Sequence, residues 1–286
     1  MKSFLKMLLA SALGVFLASI ILTFLSFILF IGMAASLGSA KTYNLQQNSI
    51  LKIHLDGVIN DRKPSDPFEF LFGSETSCGL NDALAAIEKA KTNEKIQGIY
   101  LFAGQMNSGY ATAEPIRKAL LDFKESGKFI IAYGENFNHR SYYVCSVADS
   151  LFMNPQGMLD FRGLSSTIQY NKKMLEKGGI QMQIFKVGTY KSAVEPYLLD
   201  KMSDANREQT TAFLNDVWGS LLKGISESRG ITVEQLNQYA DESLIFAAPQ
   251  KTVDYRLIDG LRYADEVVNC LKTLSGLESK EDLRIA

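Results

Sequence analysis

The chain has 286 residues, 47% of them apolar and 21% charged, with a formal net charge of -1. That length and balance exclude a peptide module and a disordered tail. A charge near zero argues against a general nucleic-acid binder, which needs a basic surface to displace counterions from phosphate. Three widely spaced cysteines (Cys78, Cys145, Cys270) without a C-x-x-C pair exclude a disulfide framework and a cysteine-based zinc site. His54 and His139 are the only histidines, so H-E-x-x-H metal chemistry is absent and neither a metal nor a cofactor is expected.

Between Lys6 and Lys41 no residue is charged, and Met7 to Gly38 is almost wholly apolar or small. About 20 such residues span a hydrocarbon core roughly 30 Å thick, so residues 1–40 read as a membrane anchor in contact with lipid. Gly38-Ser39-Ala40 resembles a signal-peptide cleavage site, but a signal core of about 7–15 residues is much shorter than this run, which favours an uncleaved anchor. Lys2, Lys6 and the terminal amine favour a cytoplasmic N-terminus, which puts residues 41–286 on the far side of the membrane. Without the two anchor lysines, that body has 28 bases against 31 acids.

The body alternates strand and helix signals. Ser49–Leu55 alternates apolar and polar residues as a half-buried strand does, with Asp56-Gly57 as a turn. A polar, Pro-containing loop, Asp61–Gly79, leads to a helix capped by Asn81 and running from Asp82 to Lys91. Ile96–Phe102 reads as a buried strand, Glu114–Ser126 as an amphipathic helix, Phe129–Tyr133 as a strand and Arg140–Val147 as a short helix. Ser150–Met153 is strand-like before the turn Asn154–Gly157; a helix over Gln169–Lys177 stops at Gly178-Gly179, and Met182–Lys186 reads as a strand. Ser203 caps a long helix to Ser228 with Leu214, Val217, Trp218, Leu221 and Ile225 on one side, and Thr232-x-x-Gln235 is a capping box. The alternation predicts an α/β layered fold with mainly parallel strands.

Familiar catalytic motifs are missing: there is no G-x-S-x-G elbow, no phosphate loop and no G-x-G-x-x-G fingerprint. Cys145 lies six residues after His139, but it sits in an apolar run that suits a core cysteine. The informative segment is Phe185–Tyr197, F-K-V-G-T-Y-K-S-A-V-E-P-Y. Gly188 lets the chain turn, and Pro196 restricts Glu195. Lys191, between an aromatic and small residues, can serve as a general base if its ammonium is desolvated enough to stay neutral. For an arbitrary lysine the ordinary reading is a solvated surface cation.

The run Val187–Pro196 resembles the general-base segment of the long, two-domain signal peptide peptidase form of peptidase family S49. Tyr133–Asn136 with Ser141-Tyr142-Tyr143, Asn154–Gly157, Gly163-Leu164 and Val253–Gly260 are similar to further family segments, and the N-terminal anchor belongs to the same pattern. The resemblance implies a ClpP/crotonase-like fold over residues 41–286 and a Ser–Lys dyad in which Lys191 is the base. In that long form the N-terminal half supplies the lysine and the C-terminal half the serine, from Ser-Gly-Gly-Tyr. Here the equivalent position is His139, followed by Arg140 rather than glycine, so the chain resembles the base-contributing half without a nucleophile. Gly109, in Asn107-Ser108-Gly109, is similar to the family's oxyanion loop.

The resemblance further implies a partner C-terminal domain carrying the serine, peptide substrates that are remnants of signal peptides, and a homotetramer. It also implies a bacterial inner-membrane location with a periplasmic body, and no activity from the chain alone. The alternative is a catalytically silent structural or binding domain of the same fold; an acyl-CoA enzyme on this fold fits the anchor poorly. Ser108, Ser141 and Ser192 are formal nucleophiles in cis, but hydroxyls in such turns usually cap backbone donors.

Overall fold

The computed structural model describes residues 2–37, 45–62, 79–278 and 281–286. The chain divides into two compact units, one holding the N-terminal helix and one holding the α/β body.

In the first unit, α1 (Lys2–Leu37) is a single helix. Its segment Ser3–Gly32 contains an 18-residue stretch with a mean hydropathy of 2.6, none of it buried against protein, and is long and apolar enough to cross a membrane. Gly38-Ser39-Ala40 and Lys41 lie outside the described residues, as do Cys78 and most of the loop 61–79.

The body is built on five parallel strands in the order β1 (Ser49–Gly57), β2 (Ile96–Met106), β3 (Phe129–Gly134), β4 (Ser150–Met153) and β5 (Gly260–Leu261). Spatial order follows chain order, because each connection carries a helix back across the sheet. The helices are α2 (Leu80–Thr92), α3 (Tyr110–Lys124), α4 (His139–Cys145), α5 (Lys172–Lys177), α6 (Glu195–Leu198), α7 (Asp204–Arg229), α8 (Val233–Asp241), α9 (Pro249–Asp254) and α10 (Ala264–Leu274).

Successive strand side chains point to opposite faces, and they feed two separate cores. Leu51, Ile53, Leu55, Ile99, Leu101, Ile130, Leu151 and Met153 face one way and pack with Ile87 of α2, Leu120 and Phe123 of α3, Tyr142 of α4, Leu221 and Ile225 of α7 and Leu236 of α8. Ile50, Tyr100, Ile131, Tyr133 and Phe152 face the other way, onto Val267 and Leu271 of α10. A parallel sheet needs such cover on both faces. The tail returns to the sheet: Ile285 bridges Ile50 in parallel, with the Ala286 N–H donating to the Ile50 carbonyl at 2.9 Å.

Several boundaries differ from the sequence expectation. β1 runs through Asp56 to Gly57, which takes φ 63. α2 starts at Leu80 with Gly79, not Asn81, at its cap. α3 starts at Tyr110 rather than near Glu114, so Pro115 lies inside it; the early start adds Ala113 to the core and packs Tyr110 against it, which outweighs the backbone hydrogen bond that proline cannot donate. α4 begins one residue early, at His139, where Asn138 and Ser141 form a capping box. α5 begins at Lys172, three residues later than expected. Met182–Lys186 is not a strand: no neighbouring strand pairs with it among the described residues, and Phe185 and Val187 are 90% and 87% exposed. α7 matches its expected span from the Ser203 cap, but only its second half buries apolar residues (Leu221, Leu222, Ile225).

Candidate active site

The carboxyl ends of β2, β3 and β4 meet where ligands usually bind to open parallel sheets. Their loops are tied to one another by main-chain and amide bonds. The Asn138 side-chain NH2 donates to the Met106 carbonyl at 2.9 Å. The Met158 N–H donates to the Asn136 side-chain oxygen at 2.9 Å; the Phe137 N–H donates to the Met158 carbonyl at 2.9 Å, and its carbonyl accepts from the Asp160 N–H at 2.8 Å. Gly157 is required here, since a Cβ would come within 2.0 Å of the Glu135 carbonyl oxygen.

Gly109 caps α3 with extended backbone (φ -67, ψ 166), its carbonyl accepting from the Thr112 and Ala113 N–H groups. It is exposed, and a Cβ would meet nothing closer than 4.0 Å. Ser108 beside it is buried and engaged both ways with Ile59, accepting from its N–H at 2.6 Å and donating to its carbonyl at 3.2 Å.

His139 is the first residue of α4. Its Nε2 accepts from the Arg162 N–H at 3.0 Å, and its ring centroid lies 6.0 Å from that of Trp218. Burial pushes the imidazole pKa below its ordinary value, with nearby Arg162 and Arg140 acting in the same direction and Asp160 against it. A neutral ring whose Nε2 lone pair is occupied is a poor proton acceptor. The Arg140 guanidinium lies over the Tyr110 ring, 5.5 Å from its centroid, so it stands against the residue that follows Gly109. Ser141 is fully buried: it accepts from the Asn138 N–H at 3.1 Å and donates to the Asn138 carbonyl at 3.2 Å. Cys145 is fully buried in the core, and burial raises its thiol well above the ordinary range. That leaves no thiolate for a pair with His139.

Lys191 is placed elsewhere, on an arm between β4 and α7. From residue 162 to 205 every residue is exposed or half-buried except Glu195. The arm closes on itself, with the Asn171 N–H donating to the Pro196 carbonyl at 2.7 Å. Lys191 is exposed and leads into a short 3-10 turn, Ser192–Val194. The dry pocket that a neutral lysine needs is therefore not supplied by the described residues of this chain. Gly109 and His139 share the strand-end loops; Lys191 sits on the arm.

One organising residue is invisible to motif reading. The Glu195 carboxylate accepts from Ser203 Oγ at 2.6 Å, the Ser203 N–H at 3.2 Å and the Asn206 side-chain NH2 at 2.9 Å. Lys186 Nζ lies 3.9 Å from it. The Ser203 hydroxyl bond holds its pKa below the usual carboxylate range, helped by Asn206 and Lys186 and opposed by burial. Ser203 was legible as a helix cap, but its carboxylate partner comes from another element.

The sequence pattern of peptidase family S49 matches residues 122–278, more than half of the chain. The chain belongs to peptidase family S49. Protease 4 of Salmonella typhi is 31% identical over 272 residues, covering 88% of this chain and 43% of the relative. Protease 4 of Haemophilus influenzae is 32% identical over 231 residues, covering 77% of this chain and 38% of the relative. The chloroplastic serine protease SPPA of Arabidopsis thaliana is 29% identical over 239 residues, covering 84% and 34%. The chain thus spans less than half the length of these relatives. The α/β architecture with a parallel sheet agrees with the ClpP-like fold that the resemblance implied, and the apolar N-terminal helix is present.

Proposed function

We propose that this chain is the base-contributing half of a membrane-anchored Ser–Lys endopeptidase that degrades hydrophobic peptides such as signal-peptide remnants. Residues 1–40 are the anchor and 41–286 the peptidase-like domain, on the periplasmic side of a bacterial inner membrane. The observation that carries this reading is where Lys191 sits within an S49 chain. It is exposed on the arm, while Ser108 and Ser141, two of the three candidate hydroxyls in cis, are buried and spent on main-chain groups. A base so presented suits a serine from a further domain, and that domain's surface would remove water from the amine.

In the reaction, neutral Lys191 Nζ takes the hydroxyl proton of that serine as its oxygen attacks the peptide carbonyl. Backbone N–H groups, with Gly109 as the candidate loop in this half, hold the tetrahedral oxyanion. The lysine returns the proton to the leaving amine, and water then hydrolyses the acyl-enzyme with Lys191 again accepting a proton. His139 occupies the degenerate nucleophile position, with Arg140 after it, and neither takes a proton-transfer role. A groove of about 730 Å³ between α3 and α7 combines apolar walls from Leu121, Phe213 and Val217 with charged side chains that include Glu114, Asp216 and Glu227, so an extended peptide of mixed character fits it as well as an apolar one. Assembly is with a serine-bearing S49 domain, in a homo-oligomer that by resemblance is a tetramer.

The second reading, a catalytically silent binding domain, is favoured by His139, followed by Arg140, at the degenerate nucleophile position. One experiment separates them. The reading frame is followed past Ala286, and the full-length product is assayed on a hydrophobic peptide ester. Expected are a serine outside residues 1–286 that a fluorophosphonate labels, loss of hydrolysis by at least about 1,000-fold on Lys191→Ala, and no hydrolysis by the 286-residue chain alone. Full activity of the Lys191→Ala protein would overturn the proposal.

A further inference from the structure

The geometry points to Glu195 as the positioning residue for Lys191: a buried carboxylate that clamps the lysine-bearing loop onto the first turns of α7. This inference rests on the reading of Lys191 as the base.

The arm has few other means of holding its shape. Between residues 162 and 205 only Glu195 is buried, at 2% exposure, so packing alone does not fix the loop. Three donors from the start of α7 converge on the carboxylate: Ser203 Oγ at 2.6 Å, the Ser203 N–H at 3.2 Å and Asn206 Nδ2 at 2.9 Å. Asn206 is itself buried, and its side-chain oxygen accepts from Thr210 Oγ1 at 3.2 Å, which fixes the amide's orientation. The fourth partner comes from upstream of Lys191, where Lys186 Nζ stands 3.9 Å away. One carboxylate therefore closes the 186–195 loop and seats it on a helix N-terminus, where negative charge is favoured. A second tie acts next to the lysine: Tyr190 OH donates to Glu208 Oε2 at 3.3 Å, one turn further along α7. Gly188 makes the turn possible with φ 97, and the Ser192 N–H bonds back to the Tyr190 carbonyl at 3.0 Å.

Lys191 is thus held between two anchors on one helix while its own side chain stays unconstrained. A general base must meet its hydroxyl within hydrogen-bond reach, and a misplacement of about 1 Å can cost about 100-fold in rate. Charge-assisted bonds from Ser203 and Asn206 are of the strong, short kind suited to that task.

The test uses the full-length protein in detergent, with kcat and KM measured for the parent, Glu195→Ala, Glu195→Gln and Lys191→Ala, and amide exchange followed over residues 187–194. Glu195→Ala is expected to lower kcat about 100-fold with KM within two-fold. Glu195→Gln, which keeps an acceptor for Ser203, is expected to recover at least about ten-fold of that loss. Exchange over 187–194 should rise in Glu195→Ala while β2 and β3 stay protected. Glu195→Ala activity within three-fold of the parent, alongside an inactive Lys191→Ala protein, would overturn the inference. An active Lys191→Ala protein is a different result: it removes the base assignment, and the catalytic role of Glu195 falls with it.

Discussion

At the scale of single residues, the hydroxyls around the strand ends separate by what they are bonded to. Ser141 looks suggestive in sequence, two residues after His139 at the start of a helix. Its hydroxyl is fully committed to Asn138, whose own side-chain oxygen accepts from the Ser141 N–H at 3.0 Å. Such a reciprocal cap contributes about 1 kcal/mol of helix stability and leaves no free nucleophile. Ser108 likewise holds the β2–α3 loop against Ile59. Ser141→Ala and Ser108→Ala are therefore expected to retain the parent's hydrolytic activity in the full-length protein while each losing about 1–2 kcal/mol of stability in urea. Loss of all activity in a variant that stays folded would identify a nucleophile in cis. The residue scale is also where sequence reading was least informative. Lys191 was identifiable only through its neighbours' resemblance to a family segment, because a lysine in a turn carries no signature of its own. Glu195 was read only as the residue before a proline, since its partners Ser203 and Asn206 lie eight and eleven residues away on another helix.

Among the elements, legibility follows whether the local signal and the tertiary environment agree. β1 to β4 were readable because each carries apolar residues that two cores accept, and the Ser203 and Thr232 caps were readable because capping chemistry is local. Met182–Lys186 had the right residues for a strand but has no described neighbour to pair with, and an extended segment without a ladder is not a strand. The start of α3 was obscured by Pro115, which usually marks a first turn. The arm makes its own pH prediction. The Glu195 carboxyl is held below its ordinary value of 4.5 chiefly by the Ser203 hydroxyl. A carboxylate depressed in the folded state stabilises above its unfolded pKa, and that stabilisation is lost as the pH falls through the folded one. Exchange protection over residues 187–194 should therefore be flat from neutral pH down to the unfolded value of 4.5 and collapse below it, while β2 and β3 hold. A loop whose protection falls between pH 8 and 6 instead would be governed by some other group.

For the whole molecule, the physical division is between a helix whose residues 3–32 are all exposed and a body with two cores of its own. Residues Ser3–Gly32 form an apolar helix that contains an 18-residue stretch with a mean hydropathy of 2.6. At 1.5 Å per residue, its 30 residues exceed a hydrocarbon core of about 30 Å, so it can span with tilt. Among the described residues, neither core contains a residue before Leu45, so both are assembled from the body's own elements. Removing the helix should therefore change where the protein resides and leave the folding of the body intact. The full chain is expected to stay with the membrane pellet after alkaline carbonate, and a 45–286 fragment to leave it. The fragment should keep the parental far-UV spectrum per body residue and a single cooperative melt. A full chain extracted by carbonate would remove the anchor assignment. A fragment that aggregates or melts without cooperativity would show instead that the helix, or the residues joining it to Leu45, contribute to the stability of the body.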